Sequence, residues 1–153
     1  MNHTIYSRVR KAVSFDFNSI CELLESENLP TIDIQQDLLH FFVIERNKKI
    51  LAVIGLEIYG EEALLRSMVV DREYRNQSLA TLLVHELIKY GNDNGVKTIY
   101  LITTTAEGYF ARKGFSVITR SEAPISISVT PEFTSLCPST ATVMMRKLEG
   151  IGL

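Results

Sequence analysis

The stretch Leu65–Leu82 constrains the fold more than any other part of the chain. An apolar strand ending at Val70 runs into a short polar turn, and the turn opens a strongly amphipathic helix. A strand that ends on a helix start aims several unpaired backbone N–H groups, and the positive end of the helix dipole, at one point. Such a point suits a phosphate or pyrophosphate. The turn carries Arg75, then Ser78 and Ala80, and small residues there let a ligand approach the backbone. It is a candidate cradle for a phosphorylated cofactor. An ordinary strand-to-helix turn with Ser78 as capping residue is the other reading.

Around this turn the chain alternates strands and helices. Arg8 to Val13 reads as a short strand. Asp16 to Glu27 reads as a helix with Phe17, Ile20, Leu23 and Leu24 on one face. After Pro30, Asp33 to Leu39 reads as a second short helix. Phe41 to Glu45 and Ile50 to Tyr59 form a hairpin across Arg46 to Lys49, and Ala63 to Val70 adds a third strand. The helix after Ser78 buries Leu79, Leu82, Leu83 and Leu87, widened by Val84 and Ile88, and stops at Asn92 to Gly95. Val96 to Ile102 is a strand. Thr104 to Glu107 has the spacing of a capping box and opens a short helix ending at Gly114. Phe115 to Thr119 and Ala141 to Leu148 are the last strands. The stretch between them, Ser121 to Thr140, is too long for an ordinary connection and reads as a functional loop or a lid with short helical turns.

Composition narrows the function classes. A chain of 153 residues with 46% hydrophobic content is long enough for one full core. A net charge of −2 with scattered basic residues excludes a basic tract for nucleic acid or anionic lipid. The longest apolar run, Ile50 to Leu56, is too short to cross a membrane, and Met1 to Val13 does not read as a signal peptide. Cys21 and Cys137 stand in unrelated contexts, which points to a reducing cytoplasm rather than a disulfide framework. His3, His40 and His85 are isolated, so no metal site is expected.

From Val70 to Ala80 the chain resembles the acetyl-CoA-binding motif of the GCN5-related N-acetyltransferases (GNAT). The family pattern is Gln/Arg-x-x-Gly-x-Gly/Ala at the start of the central helix. Here it reads Arg75-Asn76-Gln77-Ser78-Leu79-Ala80. Ala106 to Phe115 resembles the family's second cofactor segment, a short helix ending in Gly-Phe. With the element order, the resemblance covers nearly the whole chain. It implies one N-acetyltransferase domain over residues 1–153. The implied fold is α/β (α+β): a single mixed central sheet, largely antiparallel, with one parallel β-α-β crossover and flanking helices. Ser78 departs from the first motif glycine, Phe110 stands where many members have a tyrosine, and Thr103 replaces the usual asparagine. A finer likeness is to the acetyltransferases found with arsenic-resistance genes. It rests on Gly55-Leu56-Glu57, Leu64 to Ser67, Thr103 to Glu107 and Phe133 to Pro138.

The resemblance implies acetyl-CoA as cosubstrate and a small, amino-acid-like primary amine as acceptor. Backbone groups of Met68, Val69 and Val70 would hold the pantetheine arm, with an N–H of Val69 or Val70 on the thioester carbonyl. Arg75, Asn76, Gln77, Ser78, Leu79, Ala80 and Phe110 complete the expected cofactor contacts. Phe110 has no proton to give, and a thiolate leaves near neutral pH without a strong acid. A homodimer is an expectation of the resemblance alone. A CoA-binding module with little or no turnover is the competing reading, favoured by Ser78 and Phe110.

Three further residues are candidates for chemistry. Glu57, a carboxylate in an apolar strand, is the first choice for a general base, direct or through water. Its alternative is a solvent-facing position beside Tyr59. Arg66 is a candidate to clamp a substrate carboxylate or oxyanion, to pair with Glu57 across the sheet, or to do both. Cys137 either lines the substrate pocket, where it would meet a thiophilic substrate in the arsenic-linked reading, or is a buried structural thiol.

Overall fold

The computed structural model describes residues 8–75 and 78–148. In chain order the elements are β1 (Arg8–Lys11), α1 (Phe17–Glu25), β2 (Phe41–Arg46), β3 (Lys49–Tyr59), β4 (Glu62–Val70), α2 (Leu79–Asp93), β5 (Thr98–Thr103), α3 (Glu107–Ala111), β6 (Ser116–Ile118), α4 (Ile125–Ser128) and β7 (Thr142–Lys147). The strands form one seven-stranded sheet in the order β1-β2-β3-β4-β5-β7-β6. β1 with β2, β2 with β3, β5 with β7 and β6 with β7 run antiparallel, whereas β4 and β5 run parallel. Parallel neighbours need a crossover rather than a hairpin, and α2 lies in the connection between them. The expected mixed sheet with one β-α-β crossover is therefore present.

The chain divides into two compact units. One holds the described residues up to Gly55 together with Ser67–Leu87; the other holds Leu56–Arg66 and the described residues from Ile88 onward.

In the first unit, α1 buries Ile20 and Leu24 completely, at 0% exposure, against a cluster that includes Ala12, Val43, Val53 and Val69. Full burial of each such side chain contributes about 1.5–3 kcal/mol. Ile34 and Leu38 complete this cluster, but not from a helix. The expected helix over Asp33 to Leu39 is absent, and the segment forms a series of turns. Leu38 and His40 adopt φ values of 52° and 65°, which a right-handed helix excludes. Bringing both apolar side chains inward outweighs the local helical pattern. The hairpin loop is tighter than Arg46 to Lys49: Asn47 and Lys48 both have positive φ, 53° and 65°. That is the backbone of a two-residue turn matched to strand twist.

In the second unit, Leu64, Tyr100, Ile127, Phe133 and Val143 form one buried core cluster. Ile127 and Phe133 come from the long stretch after β6, so that stretch is packed into the core. It contains α4 and a π-helical turn, Glu132–Leu136. The end of α2 follows expectation: Gly95 has φ 81°, and the Val96 N–H reaches back to the Gly91 carbonyl at 2.9 Å. Two expectations for local detail fail. Leu82 is 39% exposed, because Leu79, Leu83, Val84 and Leu87 already fill the buried stripe of α2. The capping box at Thr104 to Glu107 does not form. Ala106 is the N-cap, and its N–H donates to the Thr103 hydroxyl at 3.0 Å.

A charged cluster anchors β1. The Arg10 guanidinium donates to both Asp16 carboxylate oxygens, at 2.9 and 3.0 Å, and to Glu45. Asp16 also accepts the Val13 N–H at 2.8 Å, and its side chain is 6% exposed. The Arg10 contact holds its carboxyl below the usual range. A depressed folded pKa adds stability above the unfolded value, about 3.9, and that stability disappears as pH falls through the folded value. Asp16→Asn should therefore cost about 1–3 kcal/mol at pH 7. The gap to the native protein should narrow in denaturant melts taken progressively below pH 4. A pH-independent difference would contradict this account.

Candidate functional site

The first unit carries the turn between β4 and α2. The Asp71 N–H donates to the Leu51 carbonyl at 2.8 Å, which fastens the end of β4 to β3. The Asp71 carboxylate then accepts the Glu73 N–H at 2.9 Å and caps a 3-10 turn over Arg72–Tyr74. Beyond it Arg75 is extended, and its Nε donates to the Val70 carbonyl at 3.1 Å. Arg72 and Arg75 both reach Glu27, at 2.8 and 3.2 Å. Arg72 first, and Arg75 second, pull the Glu27 carboxyl below the usual carboxylate range. Asn76 and Gln77, both expected cofactor contacts, lie outside the described residues.

Ser78 is exposed and has φ 63°, and its carbonyl accepts the Leu82 N–H at 3.1 Å, closing the first turn of α2. This left-handed backbone is the conformation that favours glycine. The position where the motif has glycine therefore has the backbone that favours one, and this chain fills it with serine. Leu79 is buried at 2%, and Ala80 is half-buried. Within β4, Ser67 also takes a positive φ, 60°, just before Met68, Val69 and Val70. A left-handed residue in mid-strand breaks the regular ladder and re-aims the residues beside it, as in a β-bulge. Met68 and Val70 are half-buried, while Val69 is 7% exposed.

The second unit holds a charged cluster. Glu57 and Tyr59 are two apart on β3 and share a face. The Tyr59 hydroxyl donates to Glu57 Oε1 at 2.6 Å, and Arg66 Nη1 on β4 donates to Glu57 Oε2 at 2.6 Å. Glu57 is thus both beside Tyr59 and paired with Arg66, with a side chain 24% exposed. On its other side the Arg66 guanidinium meets Glu132 at 3.5 Å. The Arg66 side chain is 1% exposed and that of Glu132 is 7% exposed. Arg66 is thus closed off from solvent and its charge is already met by two carboxylates. Leaving one partner of such a buried pair uncompensated costs about 3–5 kcal/mol.

Cys137 follows the π-helical turn, with Sγ 3.7 Å from Glu132 Oε1 as the donor. Burial first, then the Glu132 charge and hydrogen bond, push its thiol up to about 12; Arg66 and Arg120 offset this only in part. It is a protonated thiol at neutral pH, a poor nucleophile and a poor soft-metal ligand. Phe110 is 4% exposed, and its ring packs edge-on against Tyr109 and Phe115, at 5.4 and 5.5 Å. Cys21 is half-buried, and His85 is exposed on α2.

Sequence reasoning offered the Arg66–Glu57 pair and set Glu57 beside Tyr59, but it missed Glu132. Glu132 adjoins the stretch Phe133 to Pro138, yet nothing in that irregular segment assigns its side chain a direction. Among the described residues no group of acidic, histidine or cysteine side chains is arranged to hold a metal. No helix among them is long and apolar enough to cross a membrane.

The comparisons with known proteins agree with this architecture. The structure superposes on N-acetylglutamate synthase from Neisseria gonorrhoeae, complexed with coenzyme A and N-acetyl-glutamate, with a TM-score of 0.81 at 16% identity. The match covers 96% of this chain and 36% of that one. A GNAT-family acetyltransferase from Staphylococcus aureus Mu50 superposes with a TM-score of 0.78 at 20% identity, over 94% of this chain and 100% of the other. At these identities the likeness shows the fold alone. In sequence, the amino-acid acetyltransferase of Mannheimia succiniciproducens is 25% identical over 93 residues, 60% of this chain and 21% of that protein. The Escherichia coli K12 amino-acid acetyltransferase is 22% identical over 134 residues, 82% of this chain and 29% of that protein. The chain thus spans less than a third of the length of these relatives. The model of the acetyltransferase (GNAT) family matches residues 7–115, well over half of the chain, and the chain belongs to that family.

Proposed function

We propose that the chain is an acetyl-CoA-dependent N-acetyltransferase acting on the primary amine of a small, amino-acid-like molecule. The observation that carries the reading is the left-handed, exposed Ser78 at the mouth of α2, in a member of this family. The first amides of an α-helix have no carbonyl within the helix to donate to, and they carry the positive end of its dipole. The amides at Ser78, Leu79 and Ala80, with Arg75, Asn76 and Gln77 before them, would hold the pyrophosphate. Backbone groups of Met68, Val69 and Val70 would hold the pantetheine arm, with an N–H of Val69 or Val70 polarising the carbonyl. Bound acetyl-CoA supplies an activated acyl group and a thiolate leaving group, whose ordinary pKa of about 8.5 makes a dedicated acid dispensable. That fits Phe110, which has no proton to give and whose ring is buried against Tyr109 and Phe115.

Glu57 takes the proton of the acceptor ammonium, directly or through one water. Its partly exposed carboxylate is oriented by Tyr59 and Arg66. The amino-acid acetyltransferase relatives support an amino-acid-like acceptor. The arsenic-linked likeness rests on sequence stretches alone, and the protonated Cys137 thiol gives a thiophilic substrate little to bind. The two unpaired thiols, Cys21 and Cys137, suit a reducing cytoplasm.

One observation favours the alternative of a CoA-binding module with little turnover: both Glu57 oxygens already have partners. Kinetics decide between the two. Native protein should bind acetyl-CoA in calorimetric titration, and Ser78→Trp, which crowds the turn, should abolish the heat. Glu57→Gln should leave that binding intact and lower kcat about 10²–10⁴-fold over an amine panel. Tight binding with no turnover on any amine would select the binding module, and no binding would refute both readings. Ser78→Gly, which relieves the left-handed serine, should stabilise the fold by about 1 kcal/mol. A thermal melt unchanged or lowered by that substitution would show that the turn is not strained.

A further inference from the structure

We propose that Arg120, which follows β6, is the residue that recognises the carboxylate of the acceptor, making this an enzyme for zwitterionic amino acids rather than simple amines. The proposal rests on the acetyltransferase reading above. Arg120 is half-buried at the start of the long stretch that carries Glu132 and Cys137. Its Nη1 donates to the Phe133 carbonyl at 3.0 Å and its Nη2 to the Pro138 carbonyl at 3.1 Å. The guanidinium lies over the Phe133 ring, 5.4 Å from the centroid. These contacts orient the group without neutralising it. Among the described residues no carboxylate pairs with it. A guanidinium has five N–H donors. With two on carbonyls, three remain. A half-buried, oriented cation with spare donors is completed by a planar carboxylate in a forked pair.

The other arginine of this cluster cannot do the same work cheaply. Arg66 is already divided between Glu57 and Glu132 and is 1% exposed. Arg120 holds the Pro138 carbonyl, the adjacent Cys137 Sγ lies 3.7 Å from Glu132, and Glu132 lies 3.5 Å from Arg66, so the two guanidinia border one neighbourhood. There Glu57 and Glu132 are offset by Arg66 and Arg120. A zwitterionic acceptor adds one charge of each sign: its carboxylate meets the unpaired Arg120, and its ammonium meets Glu57, the base. An amine without a carboxylate leaves Arg120 without a counter-ion. Electrostatic complementarity therefore discriminates between the two acceptor classes.

The test compares native protein, Arg120→Gln and Arg120→Lys on matched acceptors. The pairs are L-methionine with 3-(methylthio)propylamine, L-phenylalanine with 2-phenylethylamine, and L-glutamine with 4-aminobutanamide. Thermal melts check that each variant folds. For at least one pair, native protein should prefer the amino acid. Arg120→Gln should lower kcat/KM for that amino acid about 10–100-fold, mostly through KM. The ratio over the decarboxylated partner should collapse with it, and Arg120→Lys should restore part of it. If Arg120→Gln does not fold, Arg120→Lys carries the same comparison, with a smaller loss in the ratio expected.

A ratio that does not change, or an equal loss on both members of the pair, would mean that Arg120 only braces the loop, and would overturn the proposal. If native protein acetylates neither member, calorimetry with the same amino acids and their N-acetyl derivatives, in the presence of coenzyme A, decides. Binding that Arg120→Gln loses would retain the carboxylate site and remove only the acetyltransferase reading. Equal binding by the variant, or none by native protein, would overturn the carboxylate site itself.

Discussion

A guanidinium buried as deeply as that of Arg66 must be met by negative charge, because the cost of taking an unpaired cation out of water exceeds what a small domain can bear. Two carboxylates meet it here, Glu57 on the adjoining strand and Glu132 on the stretch after β6. The second contact is the more consequential. It ties a segment without regular periodicity to β4, alongside the Ser126 hydroxyl on Glu62 and the burial of Ile127 and Phe133. That stretch is therefore an ordered wall rather than a free loop. The orientation of Glu57, the environment of Cys137 and the placing of the Arg120 guanidinium all follow from this.

In the other unit, the turn between β4 and α2 depends on backbone rather than on charge. Asp71 closes a 3-10 turn and anchors to Leu51, Arg75 returns to the Val70 carbonyl, and Ser78 turns left-handed into α2. Each step limits the next, so the helix start is aimed by the end of β4. Glu27 adds a carboxylate to Arg72 and Arg75, which tethers the end of α1 to the same turn. A serine at a position that favours glycine is a local conflict of the kind that functional turns tolerate.

Much of this was legible in one dimension. Strand alternation, the stripe of α2, the Gly95 stop and the β4-α2 junction are local signals, and they placed the strands, the principal helices and the crossover. The failures share a cause. Residues 33–39 carry a helical pattern, but Ile34 and Leu38 are drawn into the first unit's core through left-handed turns. Leu82 has the right spacing, but the buried stripe of α2 is narrower than the run of leucines. The Thr104 capping box lost to Thr103, whose hydroxyl takes the Ala106 N–H. In each case partners distant in sequence, or a competing neighbour of equal propensity, chose between locally acceptable options.

The sequence by itself determined the family, the strand order along the chain and the β4-α2 junction, because periodicity, glycine-type turn positions and helix starts are properties of short stretches. It also narrowed Arg66 to a substrate clamp or a partner of Glu57. Tertiary structure alone decided that Arg66 has a second carboxylate, that burial beside Glu132 raises the Cys137 thiol, and that Arg120 rests on two carbonyls with no carboxylate paired to it among the described residues. Those outcomes depend on how an aperiodic segment folds back onto the sheet. Burial and ion pairing are set by what arrives from elsewhere in the chain, and no local pattern encodes that arrival.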